Sequence, residues 1–243
     1  MNTTNLKLTP ILLLWTSVLI FSCKNEPETE ATEEMVEEIE MEMEMEEESM
    51  DTPQTVLIID HNVANYDTWK QGFDDHSEAR ANAGLKEVAV MQNKDNKNDV
   101  KVVLGVTDMD MAKAFTTNPD LKNAMTSAGV QGAPTFTYWT TVRGAGLPQS
   151  SKDRAIIIHE VKDFDEWIKH YDAEGEATRN AEGMEDRVIA RNVENPNLIQ
   201  IVFEINDLEK AKKAINSEGK KKIMMDAGVI GQPTIKYYSI TTL

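Results

Sequence analysis

The chain has 243 residues and a formal net charge of −17. Most of the excess lies in residues 24–54, which carry fourteen Asp and Glu against one Lys, whereas residues 55–243 are only mildly acidic. No basic excess is available to neutralise a phosphate backbone, which excludes nucleic acid as an expected partner. The length accommodates two small folded units as well as one large domain.

Residues 1–22 are predicted to form a signal peptide. Lys7 precedes an apolar run from Leu8 to Phe21, which is too short to span a bilayer comfortably as a helix. The segment ends in Leu19-Ile20-Phe21-Ser22-Cys23, which resembles the bacterial lipobox. The resemblance implies that Cys23 becomes the lipidated first residue of the mature protein and anchors it to a membrane of the cell envelope. The residue after the cysteine is not Asp, which favours the outer membrane. The alternative is a plain signal peptide or a membrane anchor, in which the cysteine occurs by chance.

Residues 23–54 predict an acidic, disordered tether. Such a Glu-rich segment cannot bury enough apolar surface to offset its chain entropy, and its like charges keep it extended. Cys23 is the only cysteine of the chain. An exported domain without a second thiol forms no internal disulfide, so its stability must come from its core.

An internal repeat organises the remaining sequence. The phrase at residues 128–135, Ala-Gly-Val-Gln-Gly-Ala-Pro-Thr, recurs at 227–234 as Ala-Gly-Val-Ile-Gly-Gln-Pro-Thr. Matched positions lie 98 residues apart near the start of each repeat, where His61, Trp69 and Phe73 fall on His159, Trp167 and Tyr171. One extra residue, which we predict near Gly183, raises the offset to 99. The chain therefore predicts a duplicated unit, with repeats at 55–143 and 154–243 joined by a linker at 144–153.

The sequence of each repeat predicts secondary-structure elements in the order β-α-β-β-α-β. Runs of β-branched and apolar residues indicate strands, and Asn or Asp caps followed by apolar residues at spacings of three and four indicate helices. In the first repeat, Gly132-Ala-Pro134 predicts a turn into the last strand. The predicted elements of the first repeat are Thr55–Asn62, helix Tyr66–Ala83, Leu85–Gln92, Val100–Val106, helix Met109–Ala128 with a possible kink at Pro119, and Thr135–Val142. Those of the second are Arg154–His159, helix Phe164–Ala181, Asp186–Asn192, Leu198–Glu204, helix Leu208–Ala227 and Thr234–Thr241.

This order is the ferredoxin-like arrangement. Together with the Trp-x-x-x-Phe/Tyr-Asp stripe on the first helix and the Gly-x-Pro turn, it resembles the dimeric α/β barrel superfamily. That superfamily includes antibiotic-biosynthesis monooxygenases, haem-degrading enzymes, muconolactone isomerases and stress-responsive barrel proteins. The resemblance implies an α+β fold in which two tandem repeats form an intramolecular barrel with helices outside. We expect this barrel to be complete as a monomer.

His61 and His159 are the leading site candidates. Each ends the first strand of its repeat, on the same face as an isoleucine two residues earlier. If the repeats pack with pseudo-twofold symmetry, the two imidazoles could line one cavity. There each could act as a general base, a hydrogen-bond donor or, less readily, a metal ligand. The alternative is that each closes a strand end by bonding the backbone or a helix cap.

Four further residues complete the candidate ligand-binding set. His76 and Arg80 continue the buried stripe of the first helix, and at an offset of 98 they match Glu174 and Thr178. Tyr138 and Tyr237 occupy matching places in the last strands, with Trp139 and Tyr238 on the opposite face. One of these two faces should point into the barrel, and a tyrosine suits a pocket wall as well as a core.

The sequence predicts no cofactor, no metal site and no established catalytic motif. It contains no Gly-x-Ser-x-Gly, no cysteine within the repeats and no Gly-rich phosphate loop after a strand. The leading interpretation is an envelope lipoprotein that binds a small, partly apolar molecule in its barrel. The alternatives are a cofactor-independent monooxygenase or isomerase with a histidine acid/base, and a structural or protein-interaction module.

Overall fold

The computed structural model describes residues 54–144 and 149–242. The predicted signal peptide, Cys23 and almost all of the tether lie outside the described residues. Within the described ranges, no helix combines the length and the apolar character that crossing a membrane requires.

Both repeats have the predicted order of strands, and each predicted helix is a pair of shorter helices. The first repeat contains β1 Thr55–Val63, α1 Tyr66–Asp75, α2 Ser77–Asn82, β2 Leu85–Asn93, β3 Asp99–Val106, α3 Met109–Thr117, α4 Pro119–Ser127 and β4 Val130–Gly144. The second contains β5 Asp153–Val161, α5 Phe164–Glu174, α6 Glu176–Ala181, β6 Met184–Asn192, β7 Leu198–Ile205, α7 Leu208–Ile215, α8 Glu218–Asp226 and β8 Val229–Thr242.

The helix breaks have local causes. Pro119 forces the residue before it out of the helical region, so Asn118 adopts an extended conformation and caps α4 by accepting from the Asp120 N–H. Ser217 caps α8 in the same way through the Lys220 N–H. Gly175 separates α5 from α6 with a φ of 83°, a conformation that favours glycine. The break at Pro119 agrees with the expected kink, whereas the sequence predicted a continuous helix at Gly175 and at Ser217, because these residues lie inside an otherwise helical pattern.

The extra residue of the second repeat lies at the end of α5, not near Gly183 as predicted. Helix α5 has eleven residues and α1 has ten, whereas α2 and α6 both have six. The offset between equivalent residues is therefore already 99 at α6. The residue of the second repeat equivalent to Arg80 is therefore Arg179 and not Thr178, and both arginines are buried.

The eight strands of the two repeats close into one antiparallel barrel in the order β1-β3-β2-β8-β5-β7-β6-β4. Each repeat supplies four neighbouring strands, and the repeats join where β2 pairs with β8 and β4 pairs with β6. Every strand lies opposite its equivalent, so the pseudo-twofold axis runs along the barrel. The predicted fold is confirmed: two ferredoxin-like repeats of one chain form an intramolecular α/β barrel.

The predicted turn at Gly132-Ala-Pro134 is instead a bulge within a longer strand. Strand β4 begins at Val130, and its pairing with β1 shifts register between Gln131 and Thr135. Gly132 has a φ of 73° in this bulge. Its equivalent in β8, Gly231, has a φ of 70°, which explains why the phrase recurs almost unchanged.

The two faces of the barrel wall have different partners. Inward-facing side chains pack against each other across the interior, including Ile58, Trp139, Ile156 and Tyr238. Outward-facing side chains pack beneath the helices in two separate clusters, one for each repeat. The interior of the barrel is thus occupied by packed side chains. Of the two aromatic faces on the last strands, the one with Trp139 and Tyr238 points inward.

A buried ionic network closes one end of the barrel. The Glu204 side chain is fully buried and accepts hydrogen bonds from the Ser150 and Ser151 N–H groups at 2.8 and 2.7 Å. It also accepts from Nε and Nη2 of Arg187 at 2.9 and 2.6 Å, and Arg154 lies 3.5 Å away. Burial alone would raise the pKa of Glu204, but these hydrogen bonds hold it below its usual value. The end of the predicted linker is therefore attached to the barrel.

Candidate functional site

Each repeat has a small cavity between the outer face of the barrel wall and its own helices. The cavity of the second repeat has a volume of about 60 Å³, and that of the first about 40 Å³. The walls of the larger one are mainly apolar and include Ile157, Trp167, Met184, Phe203 and Met224. The two cavities occupy equivalent positions, so the duplication has built one site twice.

A buried histidine lies in each cavity. The side chains of His61 and His159 are 5% and 4% exposed, and their rings pack against Trp69 and Trp167 at centroid distances of 5.2 and 5.5 Å. The prediction that each histidine shares a face with the preceding isoleucine is consistent with this placement. That face points to the helices, however, so the two imidazoles lie in separate cavities and do not line a common one.

Both histidines lack hydrogen-bond partners among the described residues. Nδ1 and Nε2 of each ring are buried, and neither atom has a partner in residues 54–144 or 149–242. Burial lowers the pKa of both to about 4; nearby Asp60 and Asp99 oppose this only at His61. Each ring is therefore neutral at neutral pH. It offers one N–H donor and one acceptor, and leaving such a group unpaired costs about 1–3 kcal/mol.

Arg80 and Arg179 form equivalent parts of the cavity walls. Arg80 donates to the Phe73 carbonyl oxygen at 2.5 Å, and its guanidinium lies 3.6 Å from the Phe73 ring centroid. Arg179 donates to the Tyr171 carbonyl at 2.9 Å, stacks on that ring at 3.9 Å and pairs with Asp186 through Nε and Nη2 at 2.7 and 2.6 Å. These contacts fasten the second helix of each pair to the first, which is a structural role.

His76 lies at the break between α1 and α2, on the rim of the first cavity. Its ring is half-buried and its centroid lies 5.9 Å from that of Phe115. The structure therefore brings His61, His76 and Arg80 of the candidate set to one cavity, and His159 to the other.

Tyr138 and Tyr237 face the helices and are not among the residues that line either histidine cavity. The Tyr138 hydroxyl lies 3.4 Å from Oγ1 of Thr116. Tyr237 is buried, and its ring lies 5.3 Å from Nζ of Lys212. The structure thus separates these two tyrosines from the histidines with which the sequence grouped them.

The two cavities differ at four equivalent positions. Three of them are aligned, with Gly72, Phe73 and Leu121 in the first repeat and His170, Tyr171 and Lys220 in the second; the fourth is the end of the first helix, where His76 lines one cavity and Glu174, next to the extra residue, lines the other. Sequence reasoning missed His170, Glu174 and Lys220. A comparison of equivalent positions could have found Lys220, which replaces an apolar residue at the same place in the duplicated pattern.

Gly72 sets the distance between helices in the first repeat. A Cβ atom at this position would lie 2.8 Å from the Ala128 Cβ, closer than carbon atoms normally approach. Helix α1 can therefore approach the end of α4 only without a side chain there. The second repeat has His170 at the equivalent position, and its cavity is the larger one.

We expect Gly72→Ala to destabilise the protein by about 1–3 kcal/mol, because the added methyl group overpacks this contact. Urea denaturation measures the change. Gly219→Ala in α8 is the matched control: its Cβ would meet only Oγ of Ser217 at 4.0 Å, so this variant should be neutral or more stable. Equal effects of the two substitutions would contradict the close helix contact.

Two larger clefts, of about 570 and 350 Å³, lie beside the repeated phrase in equivalent positions. Their linings include no buried side chain that lacks a hydrogen-bond partner among the described residues. The same described ranges contain no cluster of three His, Cys, Asp or Glu side chains that could hold a metal ion. The histidine cavities therefore carry the strongest sign of an unfilled chemical role.

Comparison with solved structures identifies the fold. The chain is similar to a candidate monooxygenase from Fusobacterium nucleatum, with a TM-score of 0.54, 12% identity, and coverage of 79% of this chain and 94% of that one. It is also similar to an anthrone oxidase-like protein, with a TM-score of 0.55, 11% identity, and coverage of 79% and 92%. No family model matches the sequence, and no curated protein is significantly similar to it. The chain thus has the dimeric α/β barrel fold, and at these identities the similarity establishes the fold alone.

Proposed function

We propose that the protein binds a small, partly apolar molecule in the cavity of the second repeat. One observation carries the proposal: His159 is buried in an apolar cavity with both ring nitrogens unpaired within the described residues. Apolar walls with one or two fixed polar groups are typical of small-molecule sites. A ligand with a hydroxyl or carbonyl group would supply the missing hydrogen bond; because the closed cavity has only about 60 Å³, its apolar part would reach Trp167 and Phe203 only if the cavity widens.

The second repeat is the better binding site of the two. The contact between Gly72 and Ala128 holds the helices of the first repeat together, and its cavity is the smaller. The second cavity has polar groups around its rim, including His170, Glu174 and Lys220. We therefore expect one ligand molecule per chain. The cavity lies between the barrel wall and the helices. We therefore expect the ligand under the helices and not within the barrel, where the sequence predicted it.

Catalysis by a histidine acid/base is the second candidate. Two solved structures of this fold are described as a candidate monooxygenase and an anthrone oxidase-like protein, which supports an oxidising enzyme as this alternative. The pKa of about 4 for His159 argues against it, because a general base works best when its pKa is near the operating pH. Binding is therefore the function that the site supports best. Lipidation of Cys23 would place this site at the envelope membrane.

The test is native mass spectrometry of the full chain released from detergent micelles. The chain is first mixed with a library of small phenols, ketones, alcohols and carboxylic acids. We expect an adduct of one small molecule per chain for the wild type. His159→Ala should lose this adduct, because it removes the buried ring whose two unpaired nitrogens face the apolar part of the cavity, and His61→Ala should retain it.

Two outcomes would contradict the proposal. One is the absence of an adduct with every member of the library, as expected if the histidine bonds only buried water, for which the cavity has room. The other is an adduct that persists in His159→Ala. Loss of the adduct in His61→Ala alone would assign the site to the first repeat instead.

A further inference from the structure

Helix α8 covers the cavity of the second repeat, and its C-terminal end is held in the core by Ala227. None of its nine residues is buried. Three of them, Lys220, Ile223 and Met224, line the cavity. His159 below is almost inaccessible to solvent, so a ligand can reach it only if part of this cover moves.

The equivalent helix of the first repeat is attached differently. Helix α4 inserts Leu121 into the core, where this side chain is only 7% exposed. Its C-terminal end is held against α1 at Ala128 and Gly72. The same two attachments are absent from α8, because Lys220 replaces the leucine and His170 replaces the glycine.

Lys220 provides the contact that holds α8 in place. Its Nζ lies 2.5 Å from Oε1 of Glu174 and 2.6 Å from Oε2 of Glu182, which joins α8 to the end of α5 and to the residue after α6. The lysine side chain is 11% exposed, and its two partners are 11% and 27% exposed. Water reaches the Glu182 pair, which therefore contributes little, whereas the Glu174 pair is mostly shielded; neither pair supplies the apolar burial that a leucine provides.

The other wall of the cavity is firmly held. Arg179 and Tyr171 separate the cavity from an outer cleft of about 300 Å³ that both residues also line. Arg179 is fixed there by its two bonds to Asp186, by the Tyr171 carbonyl and by its stacking on the Tyr171 ring. Opening through this wall would break all of these contacts, whereas the ion pairs between α8 and other elements of the described residues are those of Lys220 alone.

We propose that α8 is a lid over the cavity, and that Lys220 is the latch that holds it closed on Glu174 and Glu182. The breaks on both sides of α8 allow such a movement: Ser217 is extended before it, and Gly228 has a φ of 87° after it. This inference rests on the proposed function for its purpose, which is to admit the ligand. The movement itself is a property of the ligand-free protein.

The experiment measures how fast diethyl pyrocarbonate modifies His159 in the ligand-free full chain, read as added mass on the peptide that contains this residue. Lys220→Ala should raise the rate roughly three- to tenfold, because it removes both pairs of the latch. Lys220→Leu should lower the rate below that of the wild type, because it restores the apolar attachment seen at Leu121. Modification of His61 in the same sample is the internal reference and should be unchanged.

Lys221→Ala is the matched control, since this lysine of α8 pairs only with Glu218 of the same helix among the described contacts and should leave the rate unchanged. Equal rates for wild type, Lys220→Ala and Lys220→Leu would overturn the proposal. A parallel rise at His61 would overturn it as well, because it would indicate general unfolding. The measurement needs no ligand, so a failed ligand screen with a Lys220-dependent rate would refute the proposed function but not the lid.

Discussion

Lowering the pH from 6.5 to about 4 is expected to remove several kcal/mol from the free energy of unfolding. The pKa of both His61 and His159 falls from 6.5 to about 4 through burial. The unfolded chain takes up a proton at each histidine as the pH drops below 6.5, and the folded chain does so only near pH 4. Stability is therefore complete above pH 6.5 and is lost between these values, by about 3 kcal/mol per histidine.

Urea denaturation at a series of pH values checks this expectation. The range from pH 6.5 to 5 isolates the histidines, because the carboxylates with lowered pKa values, such as Asp172 and Glu204, contribute only at lower pH. The double variant His61→Leu/His159→Leu should show a much flatter profile. At neutral pH it should be at least as stable as the wild type, because it removes unpaired buried groups. A flat wild-type profile would mean that both rings remain hydrated.

Glu204→Gln is expected to destabilise the protein by about 3–5 kcal/mol. The substitution leaves Arg187 and Arg154 buried beside a neutral side chain, and it can present an N–H group to the Ser150 and Ser151 donors. Neutralising one member of a buried ion pair leaves the charge of the other member uncompensated, and this costs far more free energy than the intact pair contributes. Urea denaturation at neutral pH measures the loss.

Glu185→Gln is the control for this prediction. Glu185 lies 3.3 Å from the same Arg187, but its side chain is 20% exposed and water can replace it. We expect a cost below about 1 kcal/mol. Similar costs for the two variants would show that the closed end of the barrel is more hydrated than its geometry indicates.

The sequence predicted the architecture because the duplication repeats large, rare residues. Two tryptophans at an offset of 98, each followed by an aromatic residue and Asp, define the same helix face in both repeats. Strand positions followed from β-branched runs, since both faces of the barrel wall are buried. The break at Pro119 was expected as a kink, whereas those at Gly175 and Ser217 were missed because these residues act through backbone conformation and capping, which a pattern of apolar residues does not register.

The candidate site was predicted only in part. Alternation along β1 and β5 correctly placed each histidine beside an isoleucine, but alternation cannot tell the barrel interior from the helix side. This is why a shared cavity was expected and two separate ones are found. Lys220 was missed for another reason: a single lysine on a helix has the pattern of a solvated face, and its role depends on Glu174 and Glu182, which are distant in sequence.

Closure of the barrel through β2–β8 and β4–β6 within one polypeptide has an evolutionary consequence. In a symmetric homodimer each substitution is made twice, so a residue that loosens one helix loosens both and doubles the cost in stability. In a fused chain one copy can change alone. The leucine at 121 and the lysine at 220 are such a difference: one half packs an apolar side chain into its core at this position, and the other half carries an ion-pairing side chain there.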